Sequence, residues 1–201
     1  MAADTSRPSL RQAQRAVTEQ RIIEALAALI DDEHPLEISM AAVAKRAGVS
    51  EPTLYRHFPS KRELFSALAG YQFRTVTAGL APASADELAD AVGTVFQRSA
   101  AMENVIRWTL AATDPQRGPR PNAQTRLDML RTALGSKPGD DQDDAQFLLR
   151  TVLLLTSPMP WLYWKDYLGL DPAAAAATAG WAIKTLAAAA SPSHATGAAP
   201  S

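Results

Sequence analysis

The chain has 201 residues, enough for one medium domain or two small ones, and its 47% hydrophobic content can fill a sizeable core. It contains no cysteine, which excludes disulfides, thiol nucleophiles and thiolate metal sites. Its net charge of −1 excludes a uniformly basic or acidic protein, so any polyanion-binding function must rest on local clustering.

Residues 1–15 are polar, contain Pro8 and carry Arg7, Arg11 and Arg15, and they are expected to form a flexible basic arm. There is no apolar core of signal-peptide length, and no run approaches about 18 apolar residues, so a cytoplasmic protein with no membrane partner is expected. A first helix should begin at Arg11 or Ala16 and run to Ile30, because Ile22, Leu26, Leu29 and Ile30 form one stripe at helical spacing. The acids Asp31, Asp32 and Glu33, followed by Pro35, should end it.

A short helix from Met40 to Ala47 should stop at Gly48, since glycine enters a left-handed turn without steric cost. Ser50 is placed to cap the next helix, and Pro52 fits its first turn, where a missing N–H costs little. That helix is brief, because Pro59 disfavours helical geometry at Phe58. Ser60 and Glu63 then spell a capping box that opens a longer helix towards Leu80. Helix, glycine turn and short helix follow one another at the spacing of a helix-turn-helix, whose second helix enters a DNA major groove. Charge agrees: Lys45, Arg46, Arg56, Lys61 and Arg62 face a single acid, Glu51, over this stretch.

Beyond it the pattern stays helical. Ser84 and Glu87 form a second capping box ahead of Leu88, Val92, Val95 and Phe96. A further helix holds Met102, Ile106 and Leu110, and proline-rich residues 114–121 read as a loop. Helices are expected over Asn122 to Leu134 and Gln142 to Thr156, then a short segment from Trp161 to Leu168. The last helix, Pro172 to Ala190, is mostly alanine. No strand signal stands out, so the expected fold class is all-α, with about nine or ten helices in all. The domains should be the arm, a DNA-binding head over residues 16–68, a helical body over 69–190, and a disordered tail over 191–201.

Val43, Ala44, Ala47, Gly48, Val49, Ser50, Thr53, Leu54, Tyr55, His57, Phe58, Lys61 and Leu64 resemble the TetR-type bacterial transcriptional regulators, over roughly Arg21 to Leu68. The resemblance implies that the turn after Gly48 presents Glu51 and Pro52 to base edges, with the capping Ser50 counted among the DNA-binding residues. It also implies that Thr53, Tyr55, His57 and Lys61 contact phosphate or sugar. Arg56 would lie on the groove side, able to grip guanine O6 and N7, while Glu51 is tolerable next to a polyanion if it accepts from a cytosine amine. Where some relatives carry a base-reading arginine, this chain has Met40 and Ala41. Arg7, Arg11 and Arg15 either enter a minor groove or merely solubilise the terminus.

In the body, aromatics at helical spacing read either as core and subunit interface or as a ligand pocket. The resemblance implies a small-molecule effector there, and Met102, Trp108, Phe147 and Trp161 are the expected lining residues. The acids from Asp140 to Asp144 read as helix caps and call for no metal. His34, His57 and His194 lack a visible nucleophile and carboxylate partner, and no phosphate-binding glycine loop is present, so neither an enzyme nor a cofactor is expected. The resulting expectation is a homodimeric repressor that binds a near-palindromic stretch of double-stranded DNA and is released by a small molecule. The alternative is a DNA-binding protein controlled by a protein partner. A helical enzyme retaining a vestigial head ranks last.

The dimer interface is expected to be a four-helix bundle of the Gln142 to Thr156 and Pro172 to Ala190 helices from each subunit. In it Ala176, Ala179 and Gly180 would allow close approach, and Trp181, Ile183 and Leu186 would add apolar area.

Overall fold

The computed structural model describes residues 9–33, 37–112, 122–135 and 143–190. The expected loop at 114–121, the first acids of the Asp140 run, and the tail lie outside the described residues, as do His34, His194 and Arg7. The described residues form ten α-helices and no strand. No helix among them is long and apolar enough to cross a membrane.

The helices are α1 (Leu10–Glu33), α2 (Met40–Ala47), α3 (Glu51–His57), α4 (Lys61–Thr77) and α5 (Ala85–Ala100), then α6 (Glu103–Ala112), α7 (Ala123–Leu134), α8 (Asp143–Leu155), α9 (Pro158–Leu168) and α10 (Pro172–Ala189). Two compact units divide the chain: residues up to Gln72 together with those from Asn104, and Phe73–Glu103 together with the residues from Asn122.

The first unit is built on α1. Its stripe of Ile22, Leu26, Leu29 and Ile30 packs with Met40, Val43, Ala44 and Ala47 of α2, Leu54 of α3, and Phe58. Burying one such aliphatic chain stabilises by about 1.5–3 kcal/mol. Leu64 and Leu68 of α4 complete this core, with Phe65 and Tyr71 partly buried against it.

Three features differ from expectation. First, α1 runs through the acids at its C-terminal end, where the macrodipole disfavours them. Cross-links offset that cost: Asp31 accepts from Asn104 Nδ2 at 2.9 Å, and Asp32 pairs with Arg46. Second, α1 already begins at Leu10. The Gln12 backbone N–H donates to Ser9 Oγ at 3.3 Å, and the Ser9 N–H donates to Gln12 Oε1 at 2.8 Å. This reciprocal cap turns Leu10 to Arg15, assigned to a flexible arm, into helix. Third, α6 belongs with the head and not with a 69–190 body, because Val105 and Trp108 pack on the head core and Gln72 donates to the buried Thr109 Oγ1 at 2.9 Å.

In the second unit α10 packs chiefly on α5. Ala175, Ala179 and Ile183 are fully buried, with Ala176 and Gly180 beside them. A Cβ added at Gly180 would stand 3.2 Å from the Ala89 carbonyl oxygen of α5, so glycine permits this approach. These small residues therefore serve the interior of one chain, which corrects their assignment to a subunit interface.

Candidate functional site

The helix-turn-helix is held by local chemistry. Gly48 sits at φ 64° and ψ 35°, and the N–H of Val49 reaches back to the Ala44 carbonyl at 3.0 Å. Ser50 Oγ accepts from the Thr53 N–H at 3.3 Å, capping α3. Leu54, fully buried, and Phe58 pin α3 to the core. At about 100° per residue, Glu51, Tyr55, Pro52 and Arg56 occupy an arc of about 140° on the side away from Leu54. All four are exposed. Thr53 falls about 60° beyond the edge of that arc and His57 on the face opposite its centre; both are partly buried.

Glu51 and Arg56 stand at opposite edges of the arc, and neither has an ion-pair partner among the described residues. Lys45, Lys61 and Arg62 are also exposed and unpaired among them. Arg46, counted with these cations in the sequence, is engaged with Asp32. Lys61 and Arg62 open α4 at the positive end of its dipole, where a cation is unfavourable. An anion bound there would reverse that cost, and with the Glu63 N–H taken by Ser60 Oγ at 3.2 Å, the N–H groups of Lys61 and Arg62 are the first-turn donors left for it.

His57 is not a free phosphate ligand. Its side chain is 9% exposed, and Nδ1 lies 3.3 Å from Glu19 Oε1 of α1. Arg15 Nε donates to the same oxygen at 2.7 Å. Partial burial pushes the Glu19 carboxyl up, but the hydrogen bonds and charges of Arg15 and His57 outweigh it and hold the group below the usual carboxylate range. Glu19 escaped the sequence reading; its only local signal is the four-residue spacing from Arg15. That contact also occupies one of the three arm arginines. Arg11 and Arg15 are carried on α1.

The second unit contains an apolar cleft of roughly 470 Å³, part of it open to solvent. The end of α4 (Phe73, Thr77), α5 (Leu88, Ala91, Val92, Val95) and α7 (Arg126, Met129, Leu130) supply its walls, with Thr156 after α8. Arg126 is the one charged residue in the lining, and its Nη2 donates to the Leu153 carbonyl at 3.1 Å.

None of the four residues expected in a pocket lines this cleft. Trp108 stands edge-on to Phe65 in the head, and Trp161 is buried in the body beneath Lys165, whose Nζ is 5.7 Å from its ring centroid. Met102 falls in the turn between α5 and α6, while Phe147 is 57% exposed on α8. Hydrophobicity alone could not separate these roles, because core, surface and cleft all draw on the same side chains.

Residues 22–68 match the family model of bacterial regulatory proteins, tetR family. Over 55 residues the chain is 44% identical to the nucleoid occlusion factor SlmA of Marinobacter nauticus, a match covering 27% of this chain and 28% of that protein. The same factor from Marinomonas sp. is 48% identical over 48 residues, 24% of each chain. That from Actinobacillus pleuropneumoniae is 36% identical over 73 residues, 35% of this chain and 36% of the other. These matches thus span about a quarter to a third of the relatives' length. The crystal structure of a TetR-like transcriptional regulator from Rhodococcus sp. RHA1 is similar in fold, with a TM-score of 0.51 and 21% identity over 86% of this chain and 94% of that one.

Proposed function

We propose that this TetR-family DNA-binding regulator acts as a homodimeric repressor that a small apolar molecule releases from its operator. The observation that carries the reading is the exposed arc of Glu51, Pro52, Tyr55 and Arg56, flanked by the unpaired cations Lys45, Lys61 and Arg62. A groove-sized helix with a rigid apolar back and an unsatisfied polar front fits base readout, and the flanking cations fit phosphates. Two heads must meet successive major grooves about 34–36 Å apart, which favours a dimer and a near-palindromic site.

Support for the dimer comes from α8 and α10, where Phe147, Leu154 and Trp181 are more than half exposed. Phe147 and Leu154 are seven residues apart and so share one helical stripe. Support for the effector comes from the cleft, whose largely apolar walls suit a hydrophobic molecule. α4 lends Leu64 and Leu68 to the head core and Phe73 and Thr77 to the cleft.

Selection of bound sequences from a random DNA pool tests the reading. Paired half-sites about 10 base pairs apart, centre to centre, are expected, and a pool with no enriched sequence would remove it. For the effector, Ala91→Phe should fill the cleft and abolish ligand-induced release while leaving DNA affinity unchanged.

A second reading, control by a protein partner, is favoured by α9, which exposes Met159, Tyr163, Tyr167 and Leu168. Thermal shift separates the two, because a ligand of the folded state must raise the melting temperature.

A further inference from the structure

Three buried polar atoms have no hydrogen-bond partner among the described residues: Ser99 Oγ, Asn122 Nδ2 and Trp161 Nε1. Leaving such a group unpaired is costly, so each calls for an account. Ser99 is fully buried on α5, a helix that walls the cleft. At about 100° per residue, the wall residues Leu88, Ala91, Val92 and Val95 span an arc of about 100°, and Ser99 falls inside it, about 20° from Val92. Ala89 and Gly93, which face Gly180 and Ala176 of α10, lie outside that arc.

Ser99 stands one turn, about 6 Å, beyond Val95. The α4 wall of the cleft reaches this end of α5. Arg98 Nη1 donates to the Ala78 carbonyl at 2.7 Å and to the Val76 carbonyl at 3.3 Å, on either side of the lining Thr77. The two hydroxyls in the lining are already committed to their own backbone: Thr77 Oγ1 donates to the Phe73 carbonyl at 2.7 Å, and Thr156 Oγ1 to the Val152 carbonyl at 2.8 Å. The Ser99 hydroxyl makes no such bond.

Asn122 opens α7 one turn ahead of the lining Arg126, whose N–H donates to the Asn122 carbonyl at 3.0 Å, and its side chain makes no capping bond. Its Nδ2 is a donor only, and a serine hydroxyl can donate as well, so what the two groups lack is an acceptor. Trp161 belongs to α9, which supplies no wall of the cleft. A carboxylate would carry its charge into apolar surroundings where Arg126 is already engaged with the Leu153 carbonyl, whereas a neutral oxygen avoids that cost.

We propose that Ser99 is the polar anchor of the cleft, and that the effector is an apolar molecule ending in a neutral oxygen, an alcohol or a ketone, which accepts a hydrogen bond from the Ser99 hydroxyl. This rests on the effector reading of the cleft given above.

The experiment uses the full chain and two probes of nearly the same shape, butyrophenone and butylbenzene, which differ by one carbonyl oxygen. Each is titrated by displacement of an apolar fluorescent dye from the wild type and from Ser99→Ala. Water holds the ketone more strongly than the hydrocarbon, so each probe is compared with itself across the two proteins. Ser99→Ala should weaken butyrophenone roughly five- to tenfold, the loss of one hydrogen bond, and leave butylbenzene within about twofold. Without a probe, Ser99→Ala should not lower the urea midpoint, because it removes a hydroxyl that the ligand-free fold leaves unpaired. Equal effects on the two probes, or none on either, would overturn the proposal and leave Ser99 to an ordered water only. A lowered urea midpoint would overturn it too, since the hydroxyl would then have a partner within the fold. A wild type that binds neither probe would instead remove the effector reading of the cleft, and this inference with it.

Discussion

The rings of Phe65 and Trp108 meet edge to face, with centroids 4.8 Å apart and planes at 86°. This geometry suits the aromatic quadrupole and ties α6 to the head at the start of α4. Truncating a partly buried tryptophan forfeits both the pair and the apolar area under the ring. Trp108→Ala should therefore cost about 2–3 kcal/mol in urea unfolding, somewhat below a fully buried tryptophan. It should leave binding of an apolar probe to the cleft unchanged, because Trp108 is not in the lining. Loss of probe affinity with no loss of stability would return Trp108 to a pocket.

How much was legible follows from how far each signal reaches along the chain. Gly48, Ser50 and Ser60 act within four residues of themselves, through a left-handed turn and two caps, so the head could be read in order. The capping pair Ser9 and Gln12 carries the same kind of signal but lies in a stretch whose arginines and proline pointed to an arm. The contact of His57 with Glu19 spans 38 residues and leaves no periodic trace. The cleft gathers residues from Phe73 to Thr156 on several helices, and nothing local separates a methionine facing a void from one facing a core. Ala179 shows the same limit, since alanine on a helix face admits a close neighbour without saying whose it is.

That neighbour decides the next expectation. Ala179 is fully buried, on a helix that packs chiefly on α5 of the same chain. Ala179→Glu would bury an unpaired charge, at a cost of more than about 4 kcal/mol, and should unfold the body instead of yielding folded monomers. Trp181→Glu and Phe147→Glu act on exposed positions, so each should leave the monomer's stability within about 0.5 kcal/mol and shift sedimentation towards monomer. A folded, monomeric Ala179→Glu would overturn the placement of α10.

Glu19 predicts an acid response. Its carboxyl is held below the usual 4.5 in the folded chain, so the folded state binds its proton less readily than the unfolded state does. Its contribution is therefore fully present above the unfolded value and is lost as pH falls through the lowered folded value. Glu19→Gln should lower the urea midpoint at pH 7, with the gap from the wild type closing as the solution is acidified below 4.5. A gap of constant size at every pH would mean that packing and not charge links α1 to α3.

Glu51 and Arg56 carry the specificity prediction. Five residues on a helix turn through about 500°, so their directions differ by about 140°, and a salt bridge between them, which favours spacings of three or four, is not formed. Each side chain is exposed, and under the proposed base readout Arg56 takes guanine O6 and N7 and Glu51 a cytosine N4 amine. Arg56→Ala should cost about 1–3 kcal/mol and relax preference at one position per half-site. Glu51→Gln should move preference towards adenine, whose N6 and N7 suit the amide. Lys61→Ala is the control, because removing a cation from a phosphate should weaken all sequences alike and reduce the salt slope by about 0.9 for each phosphate left without its lysine. The three variants are to be titrated against every single-base change in the operator. If Arg56→Ala and Glu51→Gln behave like Lys61→Ala, with no position changing its preference, both residues touch only the backbone, and specificity must lie elsewhere on the arc.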